Sequence, residues 1–369
     1  MGQLVLSPTM RLRRTPFWDG VEGAGVKTCS VYNHMLLPSM FESLEADYFH
    51  LKQHVQLWDV SCQRQLRLAG PDAARLAQMM TPRWIGAMKT GQCSYAPAVD
   101  RNGYLLNDPV LLKLAGDEYW FSLSDSDLLL YASGLAAAAG LDVEIDEPDI
   151  SPLAVQGPKA DILMERVFGP AARRLGFFRF GIFEFMGVSH VVSRSGYSKQ
   201  GGFEIYVHGH ENAMPLWGAL LEAGSDLSAR PGCPNYPERI EAGLLSYGSD
   251  ITREHTPYEA GLARYCDIDR SEACLGLPAL AAMEAEGARR QVRSLSIDGA
   301  AVPQCDRPWP VSCDGRPAGQ VTSACWSPGH QQNVAIGMIE AEFWHAGTGL
   351  TVELSGDTRM ATVRSGFYI

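Results

Sequence analysis

The sequence predicts an α+β fold with mixed and antiparallel sheets, followed by a C-terminal β-barrel. Over residues 1–275, helix-forming segments alternate with short β-prone runs, and some of those runs are joined by hairpin turns. Over residues 276–369 the helix signals fade, and short apolar runs recur between Gly, Pro and Asp residues, as is typical of a small barrel. We therefore expect two domains, 1–275 and 276–369, with the first built from two intertwined subdomains.

Helices are predicted where apolar residues recur every three to four positions among good helix formers. They cover residues 41–57, 71–80, 124–139, 158–168, 213–223 and 237–245, and a last, weaker one covers 280–287. Pro71 suits the start of its helix, because the first turn leaves backbone N–H groups unpaired in any case and proline has none.

Strands are predicted where β-prone residues form short runs between turn residues. In the α+β region they cover 65–68, 93–99, 105–114, 141–145, 153–157, 177–185, 188–192 and 203–207, and in the barrel 291–297, 319–325, 334–339 and 350–354. The pair Asn102-Gly103 lies between two of these runs, and Asn-Gly at that position indicates a β-hairpin.

The composition excludes several classes of partner. The net charge is −11 and no long basic run offsets it, which argues against nucleic acid or an anionic membrane. No apolar run approaches the roughly 18 residues that span a bilayer, and no signal peptide is evident. The nine cysteines are scattered and form no C-x-x-C pair, a pattern typical of reduced thiols in a cytoplasmic protein.

The most informative segment for function is residues 193–206, which reads SRSGYSKQGGFEIY. Its Gly201-Gly202 pair beside a strand would let a flat ligand approach the backbone. Glu204 on that strand could accept hydrogen bonds from a heterocycle rich in N–H donors. The alternative is a glycine-bulged hairpin with a solvated glutamate.

A set of polar and aromatic residues falls on predicted strands and the turns beside them. Such a set could form a pocket for a flat polar heterocycle, or for a soft cation held against aromatic rings, although ordinary strand aromatics are the alternative. The set comprises Tyr95, Asp108, Ser122, Tyr197, Glu204 and Tyr206. His50 and His54 have the i, i+4 spacing of a metal-binding pair, but nothing supplies a third ligand, so we expect no metal site.

Ordered motifs along nearly the whole chain resemble those of the folate-dependent aminomethyltransferase family, also called the glycine-cleavage T-protein family. They include WDVS at 58–61, LAGPDA at 68–73, AVQGP at 154–158, SGYSKQGGFE at 195–204, RIEAG at 239–243 and TPYEAGL at 256–262. The hairpin at 100–111 and the barrel segment 319–328 resemble family segments too.

The resemblance implies a T-protein-like fold and a transferase that uses tetrahydrofolate as the acceptor of a methyl group. It implies that Glu204 binds the pterin ring, with Tyr95, Tyr197 and Tyr206 around it, and that Asp108 is catalytic. The methyl donor would contact Tyr32, Ser122, Tyr197 and Tyr206. The expected partners are thus tetrahydrofolate and a small-molecule methyl donor, with a homodimer as a possible assembly.

Departures from the family pattern bear on the methyl donor. The aminomethyltransferases carry two aspartates in the hairpin where this chain has Asn107-Asp108, and an arginine where it has Asn235. Both differences argue against aminomethyl chemistry on a lipoyl arm. Residues 31–38, 198–206, 231–235 and 244–248 instead resemble a branch that demethylates a sulfonium compound.

Two further alternatives remain in view. The sulfonium branch carries tryptophan where this chain has Tyr197, so another methylated sulfur, nitrogen or oxygen compound is the alternative donor. A non-catalytic folate-binding factor would be expected to carry a cysteine in the corresponding motif, which here reads Ser195-Gly196-Tyr197-Ser198.

Overall fold

The computed structural model describes residues 7, 9–271 and 273–369. The helices in these ranges are α1 Trp18–Gly23, α2 Leu44–Gln53, α3 Ala73–Met80, α4 Leu129–Ala139, α5 Ala160–Phe168, α6 Pro170–Arg173, α7 Ala213–Ala223, α8 Tyr236–Ala242 and α9 Leu277–Glu286. None of the helices within the described ranges is long and apolar enough to cross a lipid bilayer.

The strands are named in chain order. Those of the α+β region are β1 Thr28–Tyr32, β2 Met35–Met40, β3 Gln56–Asp59, β4 Gln65–Ala69, β5 Gln92–Tyr95, β6 Ala98–Val99, β7 Leu105–Asn107, β8 Val110–Lys113, β9 Glu118–Ser122, β10 Glu144–Asp146, β11 Ile150–Gln156, β12 Phe180–Phe185, β13 Val188–Ser193, β14 Gly202–His208 and β15 Arg230–Gly232. Those of the barrel are β16 Arg290–Ile297, β17 Trp309–Cys313, β18 Arg316–Ser327, β19 Gln332–Glu340, β20 Gly349–Leu354 and β21 Asp357–Val363.

Two sheets carry the α+β region. One has five strands in the order β10-β4-β9-β8-β5, and the other has six in the order β12-β13-β14-β11-β3-β15. Their neighbours pair antiparallel except for β15, which is parallel to β3. Apolar residues of α3 and α4 cover one face of the five-stranded sheet, and those of α1, α5 and α7 cover one face of the six-stranded sheet. A smaller apolar cluster joins the two sheets to each other, and it includes Cys93, Trp120 and Tyr206.

The C-terminal strands close into a six-stranded barrel in the order β16-β19-β18-β17-β20-β21. This confirms the predicted barrel, although β17 and β21 were not predicted. β17 is short, begins with Trp309-Pro310 and shifts register between Val311 and Ser312, so its pattern is weak. β21 alternates partly exposed polar residues with two small buried ones, which gives little hydrophobic signal.

Two predicted helices are shorter than expected. The helix predicted over 41–57 ends at Gln53, because the buried residues 56–59 form β3 between β11 and β15 of the six-stranded sheet. The helix predicted over 124–139 begins only at Leu129. The preceding Ser-Asp-Ser-Asp run has short polar side chains that compete for backbone hydrogen bonds and favour a turn.

The predicted hairpin over 93–114 is present but interrupted. β5 pairs with β8, β6 pairs with β7, and the turn between them contains Gly103 in the left-handed region at φ 81°. Pro97 and Pro109 have no N–H to donate to the ladder, and the strands break beside them. Asp108 therefore lies at the break between β7 and β8, outside the regular ladder.

Candidate active site

Three predicted site residues are brought into one region by the five-stranded sheet. Tyr95 of β5 pairs with Val110 of β8, which in turn pairs with Ser122 of β9, so their side chains share one face of the sheet. Asp108 lies two residues before Val110 on the same hairpin arm. Asp108, Tyr95 and Ser122 thus lie at the same end of the neighbouring strands β5, β8 and β9.

Asp108 is the most unusual side chain of the region. It is buried, its Oδ2 accepts a hydrogen bond from the Tyr95 hydroxyl at 2.5 Å, and its Oδ1 has no hydrogen-bond partner among the residues that the structure describes. Burial raises the pKa of this carboxyl to about 6, and the nearby Ser124 and Tyr95 hydroxyls oppose that rise only in part. A buried carboxylate oxygen without a donor indicates a place where a ligand N–H or O–H could bind.

Three tyrosines lie near Asp108. Burial raises the pKa of the Tyr32, Tyr95 and Tyr197 phenols, and the nearby Asp108 carboxylate raises each pKa further, so all three phenols stay neutral. Their side chains keep partial exposure. Tyr95 also packs against Tyr265, with ring centroids 4.9 Å apart.

The Tyr197 hydroxyl is already engaged within the protein. It is within donating distance of the backbone carbonyls of Leu244 at 2.9 Å and Leu245 at 2.7 Å. Its ring packs against the buried Trp58 and Ala154 of the six-stranded sheet. What Tyr197 can offer a ligand is therefore the face of its ring, not its hydroxyl.

Glu204 lies on the six-stranded sheet. It is buried, and its Oε2 accepts a hydrogen bond from the Ser195 hydroxyl, which is itself 2.5 Å from the Ser193 hydroxyl. Burial raises the pKa of Glu204 above its ordinary value, while the Ser195 hydrogen bond lowers it. The alternative of a solvated glutamate is thus wrong. Within the described part of the chain, Ser195 is the donor to this carboxylate, which leaves lone pairs for the donors of a ligand.

In the structure, glycine is required at position 202 by close packing within the protein and not by the approach of a ligand. A Cβ at Gly202 would lie 2.4 Å from the Val155 carbonyl oxygen, and one at Gly196 would lie 2.1 Å from the Gln156 side chain. These glycines are required by close packing on β11. A Cβ at Gly201 would meet no described atom within 4 Å apart from its chain neighbours, so this glycine is needed for its φ of 79°.

Tyr206 and Ser122 meet beneath Glu204. Tyr206 lies two residues after Glu204 and so on the same face of β14, and its phenol is beside Ser122 and Ser193. Its ring packs edge-on to Trp120 with centroids 6.2 Å apart and is only 1% exposed. Tyr206 therefore forms part of the wall between the sheets and offers a ligand little ring surface in this structure.

A charged network behind Tyr197 was not predicted. The Arg239 guanidinium donates to Asp250 Oδ2 at 2.8 Å and to the Ser323 hydroxyl of the barrel at 2.7 Å. Both side chains are buried, and Ser323 also donates to Asp250 Oδ1 at 2.6 Å. The motif containing Arg239 was noted in the sequence, but nothing local indicates a partner on β18, 84 residues away.

Within residues 9–271 and 273–369, no group of three or more His, Cys, Asp or Glu side chains is arranged to hold a metal ion. The predicted histidine pair is present as two rings tilted by 44° with centroids 4.9 Å apart, and His54 Nδ1 lies 3.0 Å from the Lys159 ammonium. The polar groups of the candidate site are instead two buried carboxylates, Asp108 and Glu204, and the tyrosines near each of them.

Two family models cover most of the chain. The GCVT N-terminal domain matches residues 18–270, and the glycine cleavage T-protein C-terminal barrel domain matches residues 290–368. The chain belongs to the glycine-cleavage T-protein family. This confirms the family recognised in the sequence. Members of this family are folate-dependent, so the chain is a transferase whose co-substrate is tetrahydrofolate.

The chain is also similar to individual proteins of the T-protein family. The chain is 56% identical over 361 residues to dimethylsulfoniopropionate demethylase from Ruegeria pomeroyi, with 98% of each chain covered. It is 29% identical over 368 residues to an aminomethyltransferase from Lysinibacillus sphaericus, covering 98% of this chain and 99% of that one. The aminomethyltransferase T of the glycine cleavage system from Bartonella henselae has a similar fold, with a TM-score of 0.87, 22% identity and 97% and 98% of the two chains covered.

Proposed function

We propose that the protein is a tetrahydrofolate-dependent demethylase that moves a methyl group from the sulfonium of dimethylsulfoniopropionate to N5 of tetrahydrofolate. The products are 5-methyltetrahydrofolate and 3-(methylthio)propanoate. The observation that carries the proposal is Asp108 Oδ1, a buried and unpartnered carboxylate oxygen among three tyrosine rings. The 56% identity to a demethylase of this specificity supports it.

The tyrosine rings suit a sulfonium cation. Aromatic faces attract a soft cation without the strong pairing that a free carboxylate would impose. The phenols of Tyr32, Tyr95 and Tyr197 all lie close to Asp108, and we assign their rings to the methyl donor's cation. Because the leaving group is a neutral thioether, no acid is needed to assist its departure. The main task of the site is to align donor and acceptor, which can lower a barrier by several kcal/mol, about 7–11 at best.

Glu204 suits the pterin ring of tetrahydrofolate. The amide N–H and the amine of a pterin are donors, and the free lone pairs of a buried carboxylate accept such donors strongly. When bound, tetrahydrofolate supplies the nucleophilic nitrogen that accepts the methyl group. Ser195 holds the Glu204 carboxylate in place by donating to Oε2.

Asp108 suits the proton that the reaction releases. Transfer of CH3 from a sulfonium to a secondary amine breaks the S–C bond, forms an N–C bond and leaves the nitrogen with one proton too many. Asp108, with a pKa of about 6 and a free Oδ1, can accept that proton at neutral pH. We assign Asp108 this role, Ser122 the orientation of the donor's polar end, and Tyr206 the wall of the shared pocket.

A second candidate is the same demethylation of another methylated sulfur, nitrogen or oxygen compound. The observation that favours it is Tyr197, whose ring and anchored hydroxyl define the wall where the sulfonium branch is expected to carry tryptophan. A smaller ring at this wall leaves room for a bulkier donor.

The test is an anaerobic assay with tetrahydrofolate and dimethylsulfoniopropionate, in which both products are followed by mass spectrometry. We expect stoichiometric formation of the two products, and loss of turnover with retained folate binding in Asp108→Asn. Folate binding without turnover of this donor would refute the proposed specificity, and a panel of methylated amines, sulfoniums and methoxy compounds would then test the alternative.

The two domains and the location of the protein follow the same proposal. We assign folate and donor binding to residues 1–275 and a supporting role to the barrel domain, residues 276–369. All nine cysteines are free thiols, which supports a reducing, cytoplasmic setting. Light scattering of the purified chain would decide whether it forms the expected homodimer.

A further inference from the structure

We propose that Asn33 and Asn107 are positioning residues that clamp the Ser124 peptide from two sides and thereby hold Tyr32 at the donor site. This rests on the proposed function in one respect, namely that Tyr32 contacts the methyl donor. The clamp itself is argued from hydrogen bonds within the chain.

The Ser124 peptide is the centre of the clamp. Its carbonyl oxygen accepts from Asn33 Nδ2 at 2.8 Å and from Asn107 Nδ2 at 3.1 Å, so two amides use both of its lone pairs. Its N–H donates to Asn107 Oδ1 at 2.9 Å. Asn107 is fully buried and Asn33 is 6% exposed, so water competes little for these bonds.

Both positions require an amide. Asn107 Nδ2 also contacts the Ser126 carbonyl at 3.3 Å and hydroxyl at 2.9 Å, so it faces acceptors, while Oδ1 faces the N–H of Ser124. Asn33 Nδ2 likewise faces two carbonyls, those of Ser124 and Cys62. An ionised aspartate at either place would turn an oxygen toward carbonyl oxygens, with no donor to offer.

The backbone of Asn33 ties the same turn to the same loop. Asn33 and His34 form the tip of the β1–β2 hairpin at φ 48° and 63°, the two left-handed residues that a tight type I′ turn needs. The Asn33 N–H donates to Asp125 Oδ1 at 2.8 Å. The hairpin tip is therefore fastened to residues 124–125 by backbone and side chain together.

The clamp connects two residues of the donor site. Tyr32 immediately precedes Asn33, and its phenol is close to the Ser124 hydroxyl, which also lies beside Asp108. Asn107 immediately precedes Asp108. Loosening the Ser124 peptide would thus shift Tyr32 relative to Asp108 while leaving Glu204, on the other sheet, in place.

The test compares Asn33→Asp and Asn107→Asp with Asn102→Asp, an exposed asparagine of the neighbouring turn. We expect the KM for dimethylsulfoniopropionate to rise at least about tenfold in the first two variants, equivalent to about 1.4 kcal/mol, with the tetrahydrofolate Kd within twofold of wild type. Hydrogen–deuterium exchange of peptides covering 28–40 should become faster in these variants and stay unchanged in Asn102→Asp.

Asn33→Gly is the second variant, because glycine keeps the left-handed turn but removes the amide. It should reproduce the KM effect with a folded hairpin. Unchanged exchange over 28–40 in both Asn33 variants would overturn the clamp whatever the activity. Faster exchange with an unchanged donor KM, in a wild type that does turn over, would overturn its role in donor binding. A wild type without turnover would count against the proposed function alone, because the exchange measurement still decides the clamp.

Discussion

Replacing Glu204 by Gln should weaken tetrahydrofolate binding and at the same time raise the stability of the ligand-free protein. The change keeps the size of the side chain and removes its charge, and it puts an NH2 where one oxygen accepted hydrogen bonds. Hydrogen bonds to a charged acceptor contribute about 1.5–3 kcal/mol each, against about 1 kcal/mol for neutral pairs. Two pterin donors would then lose about 1–4 kcal/mol, which raises the tetrahydrofolate Kd roughly 5- to 1,000-fold.

The stability of the ligand-free variant should rise. Burial raises the pKa of Glu204 above its value in the unfolded chain. Such a carboxyl favours the folded state most at low pH, where it is protonated in both states, and this advantage is lost as the pH rises through the folded pKa. At pH 7–8 the Gln variant is therefore expected to have the larger free energy of unfolding, with the difference fading below about pH 4.

The assay pairs titration calorimetry for tetrahydrofolate with urea unfolding of the ligand-free protein at pH 4 and pH 8. Glu184→Gln is the matched control, because it removes an exposed carboxylate from the same six-stranded sheet. A folate Kd within threefold of wild type would refute the assignment of Glu204 to the pterin. Lower stability at pH 8 would refute the account of its buried charge.

Three other outcomes are expected. kcat/KM should rise with pH through about 6, where Asp108 ionises, and then level off. Asp108→Asn should abolish this rise and lower the rate about 10²- to 10⁴-fold. If stopped-flow rates of the variant still rose with pH through about 6, the ionisation would belong to another group. Tyr197→Phe removes the hydroxyl that contacts two backbone carbonyls and should lower the free energy of unfolding by about 1–2 kcal/mol. Calorimetric melting measures the effect, and an unchanged Tm would show that these contacts do not stabilise the fold. Asp250→Ala leaves the Arg239 guanidinium buried and unpaired and should cost about 3–5 kcal/mol in urea unfolding, whereas a loss below 1 kcal/mol would mean that water reaches the arginine.

Local patterns were enough for most of the fold. Ala213–Ala223 forms the predicted helix to the residue, and the Asn102-Gly103 turn lies where the sequence indicates it. The errors occur where tertiary packing overrides local preference. Gln56 and Leu57 continue the helical spacing, yet they begin β3, which pairs with β11 on one side and β15 on the other.

Of the candidate site, the sequence indicated the ionisable residues but not the amides that hold them in place. Glu204 was singled out by the Gly-Gly pair beside its strand and Asp108 by its place on the hairpin, and the resemblance then assigned each a role. The structure adds the burial that raises their pKa values. Asn33 and Ser124 were missed because their bonds span 91 residues and leave no local signature. Ser124 was even assigned to a helix, since its neighbours continue into one.

The Leu244 carbonyl accepts from both Tyr197, at 2.9 Å, and Arg239, at 3.3 Å, and Arg239 reaches across to Ser323 of the barrel. A substitution in the barrel can therefore alter how tightly a donor is held without approaching it. Libraries designed to change donor preference would miss this route if they varied only the tyrosines, and selection from whole-gene libraries should return changes at 322–323 alongside changes at 197.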